Sequence, residues 1–271
     1  PKWFSERIAN KFSLLICDEV HHLDGKGHHW RNTMLGIKAR RRYGLSATVE
    51  IQRGRNIKDP SSIWLEGITG PIIYSKSIKD MVDGGWLVPP IVYFRRHKTE
   101  FIRGKWTPKT YSDAIVKCES RNEVIVAEAC RWARRGSRVL VDVGRVGHGR
   151  LLAKAIREEL GPQQVAILLG SSSDEERKQA LEKYEYGELK VIVGTILGEG
   201  VDIPSLEVVI NAEGGMAETS GMQRLRNLTT TKDKKRAIVV ELVDVHHVKI
   251  RKWTEERFKM YKSQPSFEVR V

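Results

Sequence analysis

The stretch VLVDVGRVGHGRLLAKAIREELGPQQVAILL, Val139–Leu169, reads as strand, helix and strand in one line. Its ends, Val139–Val143 and Val165–Leu169, are short apolar runs rich in β-branched residues, the composition of strands buried on both faces. Between them Leu151, Leu152, Ala155, Ile156 and Leu160 recur at helical spacing over 147–160, which predicts a helix with one apolar face. Working outward, apolar runs at 12–17, 42–45, 91–94, 191–193, 208–210 and 237–243 alternate with helix-type segments at 121–135, 173–186 and 220–228. Ser173-Asp-Glu-Glu176 offers a capping box, in which hydroxyl and carboxylate satisfy each other's backbone N–H groups. Strands alternating with helices specify an α/β protein built on parallel sheets.

A chain of 271 residues exceeds one ordinary core and accommodates two domains. With 40% hydrophobic residues it has the makings of a globular protein rather than a disordered one. No apolar run is long enough to span a bilayer, and Pro1-Lys-Trp-Phe-Ser-Glu6 lacks the pattern of a signal peptide. Cys17, Cys118 and Cys130 are too few and too scattered for a disulfide framework, so a reducing compartment is expected: cytoplasm, nucleoid or nucleus. The 47 Lys and Arg against 34 Asp and Glu leave a net charge of +13, which suits a phosphate-backbone partner. Pro89-Pro90 and the irregular polar stretch around Gly104 and Pro108 break the alternation. The expected division is therefore a first domain over 1–92, a linker over 93–113, a second domain over 114–247 and a basic C-terminal helix over 248–271. In that last helix Trp253 and Phe258 can stack on bases, but their near-helical spacing with Ile250 and Tyr261 favours packing.

Asp18 and Glu19 follow the apolar run Phe12–Cys17, and ligands of open parallel sheets bind at the carboxyl ends of strands. An Asp there can hold Mg²⁺ on a nucleotide phosphate, and an adjacent Glu can polarise a water for attack. A rival reading takes Cys17, His21, His22, His28 and His29 as Zn²⁺ ligands. Adjacent histidines and the lack of Cys-x-x-Cys or His-x-x-x-His spacing oppose it, and Cys17 inside an apolar run reads as a small core residue.

Asp18-Glu-Val-His21, followed after Arg40-Arg-Arg-Tyr-Gly-Leu45 by Ser46-Ala-Thr48, resembles motifs II and III of the superfamily 2 nucleic-acid helicases and translocases. The resemblance implies that Asp18 binds Mg²⁺ and Glu19 is the catalytic base. His21, Ser46 and Thr48 would couple nucleotide state to the second lobe, each being able to donate and accept a hydrogen bond. Val139–His148 resembles motif IV, where Arg145 can meet a phosphate or remain a solvated surface charge. Gly170 and Ser171 open a turn whose free N–H groups suit a nucleic-acid phosphate, while turn chemistry and an N-cap explain Ser173. Val191–Pro204 resembles motif V, with Thr195 on the nucleic-acid backbone and Gly200 and Asp202 near the nucleotide. Gln223-Arg224-Leu-Arg226 resembles motif VI, whose arginines would offset charge developing on the γ-phosphoryl group. The family's Gly is absent before Arg226, Thr229 stands where a second arginine finger falls, and motif V is one residue short between Thr195 and Gly198. Gly70–Tyr74 and Met81–Pro90 resemble the XPB/UvsW-like and restriction-translocase branch.

The resemblance thus implies two RecA-like parallel-sheet lobes of a P-loop NTPase helicase core, with ATP and Mg²⁺ as cofactors. The implied partner is nucleic acid, DNA ahead of RNA, with no membrane. The Gly-x-x-x-x-Gly-Lys-Ser/Thr pattern does not occur, so the first lobe reads as truncated. ATPase activity is expected to need a missing amino-terminal segment or a partner chain. The expected function is an ATP-dependent helicase or translocase. The alternative is a catalytically inactive nucleic-acid-binding or scaffold module. The altered motif VI and missing P-loop favour the alternative; the intact Asp18-Glu19 and Ser46-Ala-Thr48 oppose it.

Overall fold

The computed structural model describes residues 7, 11–20, 28–46, 60–195, 203–215 and 237–271, with backbone alone at 28–30 and 60–64. The chain divides into two compact units, Pro1–Ser75 and Lys76–Val271.

In the first unit strands β1 (Leu14–Cys17) and β2 (Arg41–Gly44) pair in parallel, Leu14 beside Arg41 and Cys17 beside Gly44. Helices α1 (His28–Gly36) and α2 (Pro60–Thr69) accompany them. Side chains alternate along a strand, so Cys17 points into a core with Val20, Met34, Leu65 and Ile68, and Leu15 packs against it. The opposite face of β1 is uncovered among the described residues, with Leu14 46% and Ile16 56% exposed.

The second unit opens with α3 (Ile78–Asp83), capped by a Ser77–Asp80 box, and then β3 (Ile91–Arg96). A short turn of helix α4 (Pro108–Tyr111) runs into a π-turn at Ser112–Val116 and then α5 (Glu119–Arg134). There follow β4 (Val139–Asp142), α6 (Val146–Leu160), β5 (Val165–Leu168), α7 (Asp174–Tyr186) and β6 (Val191–Gly194). Strands β7 (Val208–Asn211) and β8 (Ile238–Val243), helix α8 (Val248–Lys262) and strand β9 (Glu268–Arg270) complete it. The seven strands make one sheet in the order β5-β6-β4-β7-β8-β3-β9, parallel at every described pairing.

The alternation of apolar residues builds two cores on this one sheet. Val139, Val141, Val191, Val193, Val208, Ile210, Ile238 and Val240 face a layer that includes Ile125 and Trp132 of α5 and Leu152 and Ile156 of α6. Leu140, Ile192, Val209 and Val239 face the other layer, with Tyr184 of α7 and Tyr261 of α8. A parallel sheet covered on both faces is the expected α/β design. Ser173 accepts from the Glu176 N–H and Glu176 returns the bond, as the capping-box sequence predicts. The helix expected at 220–228 lies outside the described residues.

The expected domain limits need correction. Ile91–Arg96 pairs along its whole length with β8, so it belongs to the second sheet, and the division falls at Ser75 rather than after residue 92. Residues 97–113 are not a free linker either. Ile102 N–H donates to the His246 carbonyl at 2.7 Å, and the Trp106 ring stands edge-on to Trp253 at 5.3 Å. The polar composition that suggested a linker belongs to a strap held down by a few aromatics. The C-terminal helix is likewise part of the fold, burying Ile250, Thr254, Arg257 and Tyr261. No described helix is long and apolar enough to cross a membrane.

Candidate functional site

In the first unit the chain leaves β1 at Cys17 and turns through Asp18 and Glu19. The Leu45 N–H donates to the Cys17 carbonyl at 2.8 Å and the Val20 N–H to the Leu45 carbonyl at 2.9 Å. These bonds continue the β1–β2 pairing beyond the strands and bring Ser46 one residue from the acidic turn. Gly44 makes that approach possible, since a Cβ there would lie 2.7 Å from Val20 Cγ2. Glu19 has φ of +47°, the one described non-glycine residue with positive φ. Holding an L-residue there costs on the order of 1 kcal/mol, and Asp18 Oδ1 helps by accepting the Glu19 N–H at 2.9 Å. Asp18 is exposed and Glu19 half-buried. An exposed carboxylate at a strand end is the hard oxygen donor that Mg²⁺ takes while keeping most of its ligands for water and phosphate, so the residues present fit that ion. Cys17 belongs to the core, and burial, with Asp18 nearby, pushes its thiol up. That is the behaviour of a packed thiol, not of a zinc thiolate. His21, His22 and Thr48 lie outside the described residues, as do the side chains of His28 and His29.

In the second unit the sites expected on nucleic acid gather at the carboxyl edge of the sheet. The Val143 N–H donates to the Gly194 carbonyl and the Thr195 N–H to the Leu168 carbonyl, both at 3.1 Å, so the ends of β4, β5 and β6 are stitched together. Arg145, Gly170, Ser171 and Thr195 are all exposed along this edge. The turn after β5 is stapled by the Leu169 N–H donating to Ser172 Oγ at 3.1 Å and by Arg177 Nη2 donating to the Leu169 carbonyl at 2.6 Å. Gly170 and Ser171 are left at its outer tip. Arg145 N-caps α6, and its guanidinium carbon lies 5.3 Å from the centre of the Tyr111 ring. Tyr111 in turn donates to the Glu213 carbonyl at 3.1 Å. A stacked arginine keeps its donors in one plane, which suits a phosphate. Gly200, Asp202, Gln223, Arg224 and Arg226 lie outside the described residues.

A buried polar network behind that edge was not anticipated from sequence. Arg121, fully buried, donates through Nε to Asp244 Oδ1 at 2.9 Å, through Nη2 to Oδ2 at 3.4 Å and through Nη1 to the Ala212 carbonyl at 2.8 Å. Arg257 pairs its Nε with Glu241 Oε2 at 2.8 Å and donates through Nη1 to the Gly215 carbonyl at 2.8 Å. Glu241 also accepts from Tyr261 at 3.0 Å and from Asn211 Nδ2 at 2.9 Å. Burial alone would raise the Asp244 carboxyl, but Arg121, His97 and Arg257 hold it well below the usual carboxylate range. The two arginines thus grip the backbone at 212 and 215, where β7 leads toward the segment with Gln223, Arg224 and Arg226. The signal in the sequence was charge inside apolar periodicity: Glu241 and Asp244 at the end of a strand, Arg257 on the inner face of a helix.

His97, Asp244 and His246 offer ligand atoms within 4.8 Å of one another, the spacing of a metal site. Their chemistry is otherwise committed. Arg121 occupies both carboxylate oxygens of Asp244, Arg257 Nη2 stands 3.9 Å from Oδ2, and His246 Nε2 donates to the Ala114 carbonyl at 2.8 Å. Two buried guanidiniums beside the one carboxylate disfavour a further cation. His148, fully buried in the motif-IV-like segment, bonds Asn122 Oδ1 at 2.9 Å. Burial and the charge of Arg121 bring it down to about 3, so it is neutral at ordinary pH.

With this geometry in place, the likeness to known proteins can be stated. The model of the helicase conserved C-terminal domain matches residues 120–226, and that of the type III restriction enzyme res subunit matches residues 2–51. Together these matches support a superfamily 2 helicase or translocase. It is 24% identical over 274 residues to the DNA 3'-5' translocase XPB2 of Sulfurisphaera tokodaii, covering 88% of this chain and 60% of the relative. Among solved structures, S. cerevisiae Dbp5 bound to RNA and ADP BeF3 superposes with a TM-score of 0.62 at 13% identity, over 96% of this chain and 59% of that one. T4 UvsW gives 0.53 at 18% identity, over 100% and 55%. The chain spans about 60% of the length of the XPB2 relative. RecA-like architecture, expected from the motif order, is the fold these likenesses share.

Proposed function

We propose that this chain is the part of an ATP-driven DNA translocase or helicase that carries the catalytic base and the nucleic-acid-gripping lobe. The observation that carries the reading is the turn at Asp18-Glu19, set at a strand end and tied to the Ser46 loop through the Val20–Leu45 hydrogen bond. Asp18 holds Mg²⁺, and Glu19, the half-buried residue next to it, accepts a proton from the attacking water. ATP with Mg²⁺ supplies the γ-phosphoryl electrophile and its charge neutralisation. Gln223, Arg224 and Arg226 are assigned to the developing phosphoryl charge, Gly200 and Asp202 to the nucleotide, and His21, Ser46 and Thr48 to coupling. Arg145, Gly170, Ser171 and Thr195, exposed along one sheet edge, meet successive backbone phosphates. Grip through phosphates makes binding strongly salt-dependent and weakly sequence-specific. DNA is preferred because the XPB2 relative is named as a DNA translocase.

Glu19→Gln in the full-length protein tests the reading. Removing a general base lowers turnover by about 10²–10⁴-fold, so nucleic-acid-stimulated ATPase should collapse while nucleic-acid binding persists. Unchanged ATPase removes Glu19 from the role. A wild-type protein that binds nucleic acid but never turns over ATP points instead to the inactive binding module.

A further inference from the structure

In the second unit, arginines from β3, α5 and β9 gather over two aromatic rings. Tyr93 of β3 and Trp132 of α5 lie with ring centres 6.1 Å apart. Arg95 and Arg270 stand over the Tyr93 ring, their guanidinium carbons 4.5 and 5.4 Å from its centre. Arg131 and Arg135 stand over Trp132 at 4.6 and 5.3 Å. Register explains the meeting. Tyr93 pairs with Arg270 across β3 and β9, and alternation along β3 puts Arg95 on the same face as Tyr93. Tyr93 packs against the core layer that holds Trp132. Glu128 accepts from Arg95 Nε at 3.0 Å, from Arg131 Nη2 at 2.5 Å and from Trp132 Nε1 at 3.1 Å. Arg270 donates to the Tyr93 hydroxyl at 2.9 Å and to Glu268 at 2.6 Å. Arg135 is exposed and, among the described residues, has no ion pair.

The last turn of a helix suits arginine because of the helix dipole, which accounts for Arg131 at the end of α5. It does not account for Arg95 and Arg270, which come from strands. Arg95, Arg131, Arg135 and Arg270 face only the carboxylates Glu128 and Glu268 here, so positive charge is left over in one small area. We propose that this patch is a second contact for the phosphate backbone of nucleic acid, apart from the edge that carries Arg145, Gly170, Ser171 and Thr195. The inference rests on the reading of the chain as a nucleic-acid motor. In the sheet β9 stands four places from β4, roughly 19 Å at the usual strand spacing. A guanidinium held over a ring gives up little further freedom when its fork meets two phosphate oxygens. Trp132 is only 4% exposed, so its ring serves the arginines and the core and is not offered to a base. The contact is therefore with backbone and blind to sequence. An acidic polypeptide would meet the same arginines, but a net charge of +13 better matches a uniformly charged polyanion.

Arg135→Gln with Arg270→Gln, both at exposed positions, tests the patch in the whole chain, by titrating a labelled duplex DNA across a salt series. Each lost phosphate contact lowers the magnitude of the slope of log K against log salt by about 1. The double variant should therefore lower it by about 2, whatever the DNA sequence. Arg135→Gln alone, which breaks no ion pair, should lower it by about 1. Lys154→Gln with Lys252→Gln removes the same charge elsewhere, from side chains 82% and 69% exposed, and should leave the slope as it is. Arg145→Gln reads the motif-bearing edge separately and should lower the slope by about 1. An unchanged slope in the patch variants overturns the proposal, as does an equal fall in the lysine variant. If Arg145→Gln still lowers the slope, the motor reading survives that failure; a wild-type chain that binds no DNA sinks both. Patch-dependent binding of polyglutamate, with DNA binding indifferent to the patch, gives the surface to an acidic protein and also overturns the proposal.

Discussion

Strands β1 and β4 are each four residues long and apolar, and an acid closes each, Asp18 just beyond β1 and Asp142 at the end of β4. Every residue of β4 is buried, whereas only Cys17 of β1 is fully so. The same contrast holds for the acids that follow strands. Asp18 lies exposed at its strand end, while Asp244 is fully buried between Arg121, His97 and Arg257. An acid left in water can trade its hydration for Mg²⁺; an acid sealed among guanidiniums is bound to the scaffold. Strand-end position alone does not separate chemistry from architecture, and burial does.

The strongest way to break this contrast is to separate the units. Residues 76–271, with two cores on one sheet, should unfold cooperatively on their own by circular dichroism. Residues 1–75, with Leu14 and Ile16 uncovered among the described residues, should show no cooperative transition. A sharp transition in the smaller piece would erase the difference. Next in size is Arg121→Met, which strands Asp244 without its main partner and should cost about 3–5 kcal/mol in denaturant unfolding. Asp18→Asn should leave the unfolding midpoint unchanged while abolishing Mg²⁺-dependent ATPase in the full-length protein. A midpoint shift for Asp18 comparable to that for Arg121 would show both acids to be structural.

A gentler probe is pH. His148 takes up its proton near 6.5 when unfolded but only at about 3 when folded, so its depressed value contributes stability that is complete above 6.5 and lost as pH falls toward 3. Over that window the slope should be about 1.4 kcal/mol per pH unit, and His148→Gln should flatten it. The smallest effect compares two glycines. Gly44→Ala forces a Cβ against Val20 and should cost about 1–3 kcal/mol. Gly170→Ala meets nothing within 4 Å and should change stability by less than about 0.5 kcal/mol. Its effect on nucleic-acid affinity reads the outer edge alone.

Much of the fold was legible because it is written in local periodicity. The runs at 139–143, 165–169, 191–193 and 208–210 all become strands, and helix α6 occupies Val146–Leu160 where the apolar spacing put it. The domain boundary was not legible. Ile91–Phe94 reads equally as the end of one sheet or the start of another, and only its pairing with Ile238–Glu241 chooses. β9 was missed because three residues, Glu268–Arg270, carry no usable alternation. Of the candidate site, Asp18, Glu19 and Ser46 were singled out by residue type and order. Gly44 escaped notice because a close approach leaves no mark in a single sequence. Arg121, Asp244 and Arg257 escaped because sequence gives charge without burial.

By itself, the sequence determined the alternation of strand and helix, the excess of positive charge and the order of the motifs. All three depend on residue identity at short spacing, where local sterics and hydrophobic periodicity suffice. Only the tertiary structure decided which strands share a sheet, which acid meets solvent and which meets arginine. It also brought His97 to Asp244, 147 positions apart in the chain. Those are long-range pairings, and the free energy that sets them comes from burial and charge compensation between segments that do not know of each other until the chain closes.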